Sequence, residues 1–309
     1  MHPILAQLGA ITVYTYGVLV ATGVILGLWY ARRQAVRAAL PPRQIWNLGV
    51  YVIFGALIVS KLWLICSDWK YFAANPSDIF SLTMFQSAGT FYGGLLGAIL
   101  TIFLYTRFQT LPLLPVLDIS AAALPLSHAI GRLGCFAAGC CFGKPTGLAW
   151  GVTFTDEKAA RLAGTPLHTA LHPTQLYEAA AEFLNFLLLV WLSARQRFAG
   201  QILGTYFILY GIERGIIEFF RGDPGRTMMF HDTVSLMQIV SAGLVLAGVL
   251  LWWRGMHARK SPSSISTETP FNCGDKVKIS DKVLLKRRRM ALPVQCCARG
   301  TVPSIGPAR

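Results

Sequence analysis

Ionisable side chains recur at helical spacing in the strongly apolar segment 201–220. Arg214 and Glu218 stand four residues apart, and Tyr210 and Arg221 extend the same helical face. An ionised group inside hydrocarbon costs about 2.5–3.5 kcal/mol on insertion scales, so such groups need a partner or a function. Two arginines on one stripe could hold an anion. The alternative is a structural ion pair, with Arg221 reaching back to the membrane interface.

A second polar stripe lies in the apolar segment that precedes the first. Gln175, Glu178, Glu182 and Asn185 follow one another at spacings of three, four and three residues. Helix capping explains His172–Thr174 ahead of the stripe, and hydrogen bonds between helices are the alternative explanation for the stripe itself. Capping does not explain two glutamates inside a membrane helix, so the stripe predicts a polar site.

The segment 128–147 combines one arginine with several glycines. The glycines permit an irregular backbone that turns around a ligand, and Arg132 lies among them. Backbone N–H groups and a guanidinium group both suit oxyanions, so this segment predicts a phosphate or carboxylate site. A re-entrant loop whose arginine reaches water is the alternative. The glycines are Gly131, Gly134, Gly139 and Gly143.

Three of the seven cysteines, Cys135, Cys140 and Cys141, belong to the same segment. Small packing residues, a disulfide and a reactive thiol are all compatible with this spacing. A bond between the neighbours Cys140 and Cys141 would be strained, whereas Cys135 can reach either of them. The spacing does not match a common zinc motif, and a metal site that also uses His128 is a further alternative.

The composition indicates the elements that must position these groups. Of the 309 residues, 54% are hydrophobic and 14% are charged, whereas an average soluble domain is about 25% charged. This excludes a disordered chain, a coiled coil and collagen, and it predicts an all-α integral membrane protein. A spanning helix needs about 20 mostly apolar residues. Seven such segments occur, near 12–31, 46–66, 88–106, 114–131, 174–193, 201–220 and 234–253; Pro115, Asp118 and Pro125 interrupt the fourth.

Lysine and arginine in the short loops predict the orientation of these helices. Four arginines between positions 32 and 43 follow the first segment, and the loops after the third, fifth and seventh segments are also basic. The N-terminus is therefore expected outside and the C-terminus in the cytoplasm, with the loops 132–172 and 221–233 outside. We expect no cleavable signal peptide, and the lack of internal repeats disfavours an inverted-repeat transporter.

The net charge of +14 is concentrated at the C-terminus. Residues 254–309 contain 12 Lys+Arg and 3 Asp+Glu, a net charge of +9, whereas residues 1–253 contain 16 and 11. We therefore predict a membrane domain over 1–253 and a basic, disordered cytoplasmic tail over 254–309. The tail could lie on anionic lipids, or it could be a non-native extension produced by a change of reading frame. A nucleic acid partner is not expected.

Five short motifs follow one another in order along residues 1–253. They are Tyr16-Gly17, then Tyr92-Gly93-Gly94-Leu95-Leu96-Gly97, Gly131-Arg132-Leu133-Gly134-Cys135-Phe136 to Gly143, His172-Pro173-Thr174-Gln175-Leu176-Tyr177-Glu178, and Tyr210-Gly211-Ile212-Glu213-Arg214 with Glu218-Phe219-Phe220-Arg221. This series resembles the bacterial prolipoprotein diacylglyceryl transferase family. One motif alone would be weak evidence, but five in the same order on a seven-helix frame are specific.

The resemblance implies a multi-pass enzyme of the bacterial inner membrane. The family moves a diacylglyceryl group from phosphatidylglycerol to the lipobox cysteine thiol of a preprolipoprotein, which forms a thioether and releases glycerol phosphate. This is the first step of lipoprotein maturation. The implied partners are phosphatidylglycerol, signal peptides that bear a lipobox, and anionic membrane lipids. Attack by a thiolate needs positive charge at the phosphate leaving group, which two arginines can supply, and it requires no metal and no organic cofactor.

Carried over residue by residue, the resemblance assigns the phospholipid head group to Arg132 and a second essential position to Arg214. Tyr16 matches the tyrosine of the first helix, and Gly143 matches the glycine that closes the signature loop. The predicted catalytic residues are Tyr92, Arg132 and Arg214. The residues predicted to bind phosphatidylglycerol are Tyr16, Gly17, Gly131, Arg132, Gly143, Gln175, Glu178, Glu218 and Arg221.

Three positions depart from the family pattern. Tyr92 stands where the best-studied branch has a histidine with an assigned base role, and a phenol with a pKa of about 10 is a poor base at neutral pH. Either a nearby arginine tunes Tyr92, or this position mainly orients substrate. Cys135 replaces a usual asparagine, and Cys140 replaces a usual glutamate. Both arginines are retained, which favours a variant branch over loss of function.

Three other functions fit parts of the same pattern. The charged stripes could line the pathway of a transporter or channel. The clustered cysteines could serve a membrane thiol oxidoreductase or a metal sensor. A transferase-like binding protein could have lost catalysis through the changes at Tyr92 and at the cysteines.

Overall fold

The computed structural model describes residues 3–8, 11–81, 84, 89–223, 228–229 and 233–260. Most of the predicted tail, from residue 261 onward, lies outside the described residues. In the described part of the chain, seven helices have 18 or more residues, one for each predicted apolar segment. The helices are α1 (Thr15–Arg37), α2 (Pro42–Ser67), α3 (Trp69–Ala74), α4 (Phe91–Phe108), α5 (Leu113–Ala138), α6 (Glu157–Ala163), α7 (Thr174–Ser193), α8 (Gln201–Phe220) and α9 (Leu236–Lys260), with a 3-10 helix over Pro76–Phe80.

Short strands form three antiparallel pairs, β1 with β2, β3 with β4, and β5 with β6. Their bounds are β1 (Ile4–Leu8), β2 (Ile11–Tyr14), β3 (Val152–Thr153), β4 (Ala170–Leu171), β5 (Met228–Met229) and β6 (Val234–Ser235). The pair β3–β4 and helix α6 lie between α5 and α7. The connection between these two long helices therefore has secondary structure of its own.

The end of α5 differs from the sequence-based prediction. The fourth apolar segment, 114–131, continues as a helix to Ala138, so Gly131 and Gly134 are helical. The prediction of irregular backbone at these two glycines is therefore wrong. A glycine is tolerated inside a helix where a neighbouring helix packs closely, and this is the case at Gly134. The irregular backbone begins at Gly139, which ends α5 with a φ of 80°.

Small residues bring the long helices into close contact at three interfaces. Between α1 and α5, the Ser127 hydroxyl donates to the Gly23 carbonyl oxygen at 2.9 Å. Between α2 and α4, a Cβ added at Gly97 would lie 2.5 Å from the Gly55 carbonyl oxygen. Between α8 and α9, a Cβ added at Gly248 would lie 2.5 Å from a carbonyl oxygen of α8. The glycines of the third predicted segment thus serve close packing.

A buried carboxylate joins α5 to the start of α8. Asp118 is 3% exposed and accepts hydrogen bonds from the backbone N–H groups of Gly200 at 2.6 Å and Leu203 at 2.9 Å. The Gln196 amide donates a third hydrogen bond at 2.6 Å. The carboxylate accepts hydrogen bonds from N–H groups at the start of α8 that have no partner within the helix. Its negative charge also lies at the positive end of the helix dipole, which is a stabilising arrangement. The charged residue that interrupts the fourth apolar segment therefore has a structural role, which is to bind the start of α8.

Four helices are long and apolar enough to cross a membrane, namely α2, α5, α7 and the Leu236–Ala258 part of α9. Helix α4 adds a shorter apolar stretch, Tyr92–Phe108. Large apolar side chains on these helices, such as Phe103, Leu184 and Leu246, are exposed, which suits contact with lipid. The described chain is thus a mostly helical membrane protein.

Candidate active site

Arg132 projects from α5 into a cluster of buried polar side chains. Its Nη2 atom lies 2.7 Å from Glu178 Oε1 of α7, and its Nε–H donates to His128 Nε2 at 3.2 Å. The side chain of Arg132 is 14% exposed and that of Glu178 is 2% exposed. A guanidinium group has five N–H donors in a rigid plane. The described contacts therefore hold the plane of Arg132 and leave Nη1 for another ligand.

His128 and Glu182 extend this cluster toward α8. His128 Nδ1 lies 2.6 Å from Glu182 Oε1, and the Tyr206 hydroxyl donates to the same oxygen at 3.3 Å. Glu182 is fully buried. The ring centroids of His128 and Tyr210 are 5.8 Å apart. Both glutamates of the α7 stripe therefore have partners on α5, and Glu182 also has a partner on α8.

Arg214 and Glu218 form an ion pair within α8. Arg214 Nη2 lies 3.0 Å from Glu218 Oε2. Arg214 is 7% exposed, and its Nη1 is buried with no hydrogen-bond partner among the described residues. A buried donor without an acceptor costs free energy, so this site would stabilise a ligand that supplies one. The phenol of Tyr210 interacts electrostatically with both Arg214 and Arg132.

Arg221 follows the last residue of α8 and contacts Asp223. Its Nε and Nη2 groups donate to Asp223 Oδ1 at 2.7 Å and to Oδ2 at 2.6 Å. Such a two-point contact fixes the orientation of the guanidinium plane. The backbone of Arg221 also forms an isolated antiparallel bridge with Gly143. These contacts hold Arg221 at the junction between the end of α8 and the chain that follows α5.

Gly143 lies where three chain segments meet. Its N–H donates to the His172 carbonyl oxygen at 3.0 Å, and the N–H of Lys144 donates to the Phe220 carbonyl oxygen at 2.8 Å. A Cβ added at Gly143 would lie 2.5 Å from His172 Cβ and 2.8 Å from the Phe220 carbonyl oxygen. Because a protein interior is closely packed, no side chain fits at this position without moving the backbone.

Three side chains bind successive carbonyl groups of the turn that follows α5, which we call the cysteine turn (residues 139–141). The hydrogen bonds run from Thr165 to Gly139, from Gln175 to Cys140 and from Thr174 to Cys141, at 2.8, 2.7 and 2.7 Å. Thr174 and Gln175 open helix α7. Gln175, which we predicted to bind the lipid, therefore also fixes the cysteine turn against α7, and its Oε1 atom has no hydrogen-bond partner in the described chain.

The cysteine turn brings three sulfur atoms together. The Sγ atoms of Cys135, Cys140 and Cys141 lie within 4.8 Å of one another, and all three cysteines are free thiols. The pKa of the Cys141 thiol lies below its usual range, because the neighbouring side chains of Cys135 and Cys140 and the guanidinium groups of Arg132 and Arg221 favour its ionised form. Cys141 is therefore the thiol of this group that ionises first.

Tyr16 packs over the end of α5. A Cβ added at Gly134 would lie 3.2 Å from the Tyr16 ring, and Tyr16 lies within electrostatic range of Arg132 and the three sulfur atoms. Gly17 and Gly131 face open space, since no described heavy atom lies within 4 Å of a Cβ added at either position. The structure thus packs Tyr16 against Gly134, two residues from Arg132, and leaves room beside Gly17 and Gly131.

Tyr92 is the second residue of α4 and lies on another pair of helices. It is 41% exposed, and α4 packs chiefly against α2, where Gly93 lies beside Ser60. The described hydrogen bonds and ion pairs of Arg132 and Arg214 involve residues of α5, α7 and α8. A role for Tyr92 beside the arginines therefore stays a prediction.

Several contacts of the site were not predicted from the sequence. His128 precedes Arg132 by four residues within one helix, so this spacing was an available signal. Asp223, which binds Arg221, follows it by two residues beyond the end of α8, where helical spacing gives no signal. Glu213, which had no predicted role, accepts a hydrogen bond from the Asn185 amide at 2.6 Å. This contact joins α7 to α8, and the sequence carries no signal for it because the two residues are far apart along the chain.

An open apolar cavity of about 610 Å³ lies between α7 and α8. Its walls include Trp150, Tyr177, Glu213 and Phe220. The Trp150 indole N–H donates to the Tyr177 hydroxyl at 2.9 Å, which holds one wall in place. The same two helices carry Glu178 and Arg214, so an apolar space adjoins the helices of the polar cluster.

Comparison with known proteins agrees with these features. The family model for prolipoprotein diacylglyceryl transferase matches residues 3–254. A phosphatidylglycerol–prolipoprotein diacylglyceryl transferase of Clostridium tetani is 32% identical over 253 residues, which cover 82% of this chain and 97% of that protein. Proteins of the same name from Finegoldia magna and Clostridioides difficile are 32% and 30% identical and cover 78% and 87% of this chain. The aligned regions are 90% and 100% of those two proteins. The chain therefore belongs to the prolipoprotein diacylglyceryl transferase family.

Proposed function

We propose that the chain transfers the diacylglyceryl group of phosphatidylglycerol to the lipobox cysteine thiol of preprolipoproteins. The relatives carry phosphatidylglycerol and prolipoprotein in their names, and the family match spans almost the whole membrane domain. The products are a thioether-linked lipoprotein precursor and glycerol phosphate. A transporter, a channel and a thiol-based sensor gain no support from the family match.

The pair of largely buried arginines on neighbouring helices carries this proposal. Arg132 contacts Glu178 and His128 through Nη2 and Nε, so its Nη1 group can bind a ligand. The Nη1 group of Arg214 is buried and has no acceptor in the described chain. Phosphate oxygens match the fork of N–H groups that a guanidinium presents. In a site of low dielectric constant, two guanidinium groups strongly stabilise the charge that develops on a departing phosphate.

The surrounding polar residues position these arginines and the cysteine turn. Glu178 and Glu218 act through Arg132 and Arg214, with N–O distances of 2.7 and 3.0 Å. Gln175, Arg221 and Gly143 hold the chain that follows α5. Tyr16, Gly17 and Gly131 border the open side of Arg132, where the lipid head group would enter.

The proposed reaction forms one S–C bond and breaks one C–O bond. The thiolate sulfur attacks the glycerol carbon next to the phosphate, and the electrons of the C–O bond pass to the departing phosphate oxygen. Arg132 and Arg214 stabilise this oxygen. The thiol proton must leave before or during the attack, because the thiolate is the nucleophile. Tyr92 is proposed to orient one of the substrates, since a phenol accepts this proton poorly at neutral pH.

The same proposal includes seven membrane spans in the bacterial inner membrane, with the N-terminus outside and the C-terminus in the cytoplasm. Arg132 near the end of α5, Gln175 at the start of α7 and Arg221 after α8 then lie toward the outer face. An exported preprolipoprotein reaches this face with its signal peptide still in the membrane. The cavity between α7 and α8 would receive an apolar chain from the lipid phase, and the basic tail would bind anionic lipids.

A transfer assay with the purified chain tests the proposed function. The enzyme is supplied with phosphatidylglycerol and a lipobox peptide, and the thioether product is measured by mass spectrometry. We expect product with the full chain and with residues 1–260, and none when the peptide carries serine in place of its lipobox cysteine. Absence of product from an inserted, folded chain would contradict the proposal.

A further inference from the structure

The three sulfur atoms at the cysteine turn have a geometry that suits a metal ion. Their mutual separations, all within 4.8 Å, are close to the spacing of about 3.8 Å that follows from Zn–S bonds of about 2.3 Å at a tetrahedral ion. Small side-chain rotations would close this difference. Thiolate sulfur is the ligand preferred by Zn²⁺ and other thiophilic ions.

The backbone of the turn is held in the conformation that brings the sulfur atoms together. Cys141 has a φ of 59°, a region that residues other than glycine, asparagine and aspartate seldom adopt. Backbone strain of this kind persists only where the surroundings enforce it, and it concentrates at functional sites. Here the side chains of Thr165, Thr174 and Gln175 bind the three carbonyl groups of the turn.

The electrostatic surroundings also suit a metal bound by three thiolates. Three thiolates and one divalent ion leave a net charge of −1. Arg132 and Arg221 both lie within electrostatic range of Cys141, and Arg132 also lies within range of Cys135. The two guanidinium groups offset the excess negative charge.

We propose that Cys135, Cys140 and Cys141 form a three-thiolate binding site for a thiophilic metal ion of the Zn²⁺ class. The group contains three protein ligands among the described residues, so a four-coordinate ion keeps one position for a ligand from outside the group. A metal site that also uses His128 was an open alternative for these cysteines, and the site proposed here uses the three cysteines without it. It does not depend on the transfer reaction, so it stands or falls separately from the proposed function.

Metal analysis of the purified full-length chain tests this inference. Cys273, Cys296 and Cys297 are first replaced by serine, so that the cysteines of the tail cannot bind the probe. The protein is reduced, stripped with a chelator and equilibrated with Zn²⁺, and bound zinc is measured by mass spectrometry. We expect about one zinc per chain, and loss of this binding after Cys140→Ser with Cys141→Ser, because a single thiolate ligand remains. The matched control is Cys66→Ser, because Cys66 is an exposed free cysteine on α2.

Cobalt substitution provides a second readout. Co²⁺ bound by three thiolates gives intense sulfur-to-metal charge-transfer absorption, which Cys140→Ala should abolish and Cys66→Ser should retain. Cys140→Ala serves as the second variant if the double serine variant does not fold, and thermal unfolding checks both. Zinc uptake below about one tenth of an equivalent would overturn the proposal. Equal uptake by the cysteine variants and the control would overturn it as well.

Discussion

Replacing Gly143 by alanine tests the packing at the junction of the site. The new Cβ would lie 2.5 Å from His172 Cβ, 2.6 Å from the His172 carbonyl oxygen and 2.8 Å from the Phe220 carbonyl oxygen. Ordinary contact begins near 3.4 Å, so these neighbours must move by about 0.6–0.9 Å. Overpacking of this kind costs about 1–3 kcal/mol. The hydrogen bonds to the His172 and Phe220 carbonyl groups would weaken as well, at about 0.5–1.5 kcal/mol each.

The expected total for Gly143→Ala is a loss of about 2–6 kcal/mol in the free energy of unfolding. Thermal unfolding in detergent should show this as a decrease of about 2–4 °C in Tm for each kcal/mol. The transfer rate should fall by about 100-fold, because a displacement near 1 Å misplaces the groups that hold the substrates. The matched control is Gly147→Ala in the same connection, where no described heavy atom lies within 4 Å of the added Cβ. Equal Tm and equal rate for the two variants would refute the reasoning.

Three further substitutions test other parts of the site and the fold. Glu178→Gln removes the negative charge that contacts Arg132 and weakens this contact by about 1–2 kcal/mol, so kcat/KM should fall about 5–30-fold. The control is Glu157→Gln, which removes an exposed ion pair and should leave kcat/KM within about twofold. Equal values for these two variants would contradict the positioning role. Asp118→Ala should lower the free energy of unfolding by about 2–5 kcal/mol in thermal unfolding, since three donors near the start of α8 lose their acceptor, and an unchanged Tm would count against this. Tyr92→Phe should reduce the transfer rate by about tenfold or more, and an unchanged rate would show that the hydroxyl is neither a base nor an essential orienting group.

The long helices could be predicted from the sequence because hydropathy and helical period are local properties. The polar stripes could be predicted for a related reason, since a glutamate or arginine inside an apolar helix is costly without a partner. Arg132, Glu178 and Arg214 each have a buried carboxylate or guanidinium partner in the structure. The partner of Arg132 could not be identified in advance, because it lies on another helix far along the chain.

The end of α5 and the cysteine turn were harder to predict. Glycines favour an irregular backbone in isolation, but the packing of α1 keeps Gly134 helical. The turn then depends on a positive φ at Cys141 and on hydrogen bonds from residues of α7. Tertiary contacts decide both features, so the sequence indicated only that the three cysteines are close along the chain and left open whether they form a disulfide, a metal site or a packing group.

The most direct test of the central claim is lipid transfer by the purified Arg132→Ala and Arg214→Ala variants. Both proteins are reconstituted with phosphatidylglycerol and a lipobox peptide, beside Arg161→Ala as a control at an exposed arginine. We expect the rate to fall by about 100–1,000-fold or more in each site variant while membrane insertion is retained, because each loses a group that stabilises the departing phosphate. Arg161→Ala should transfer lipid at the unmodified rate. Full activity in either site variant would contradict the assignment of the two arginines to the phosphate.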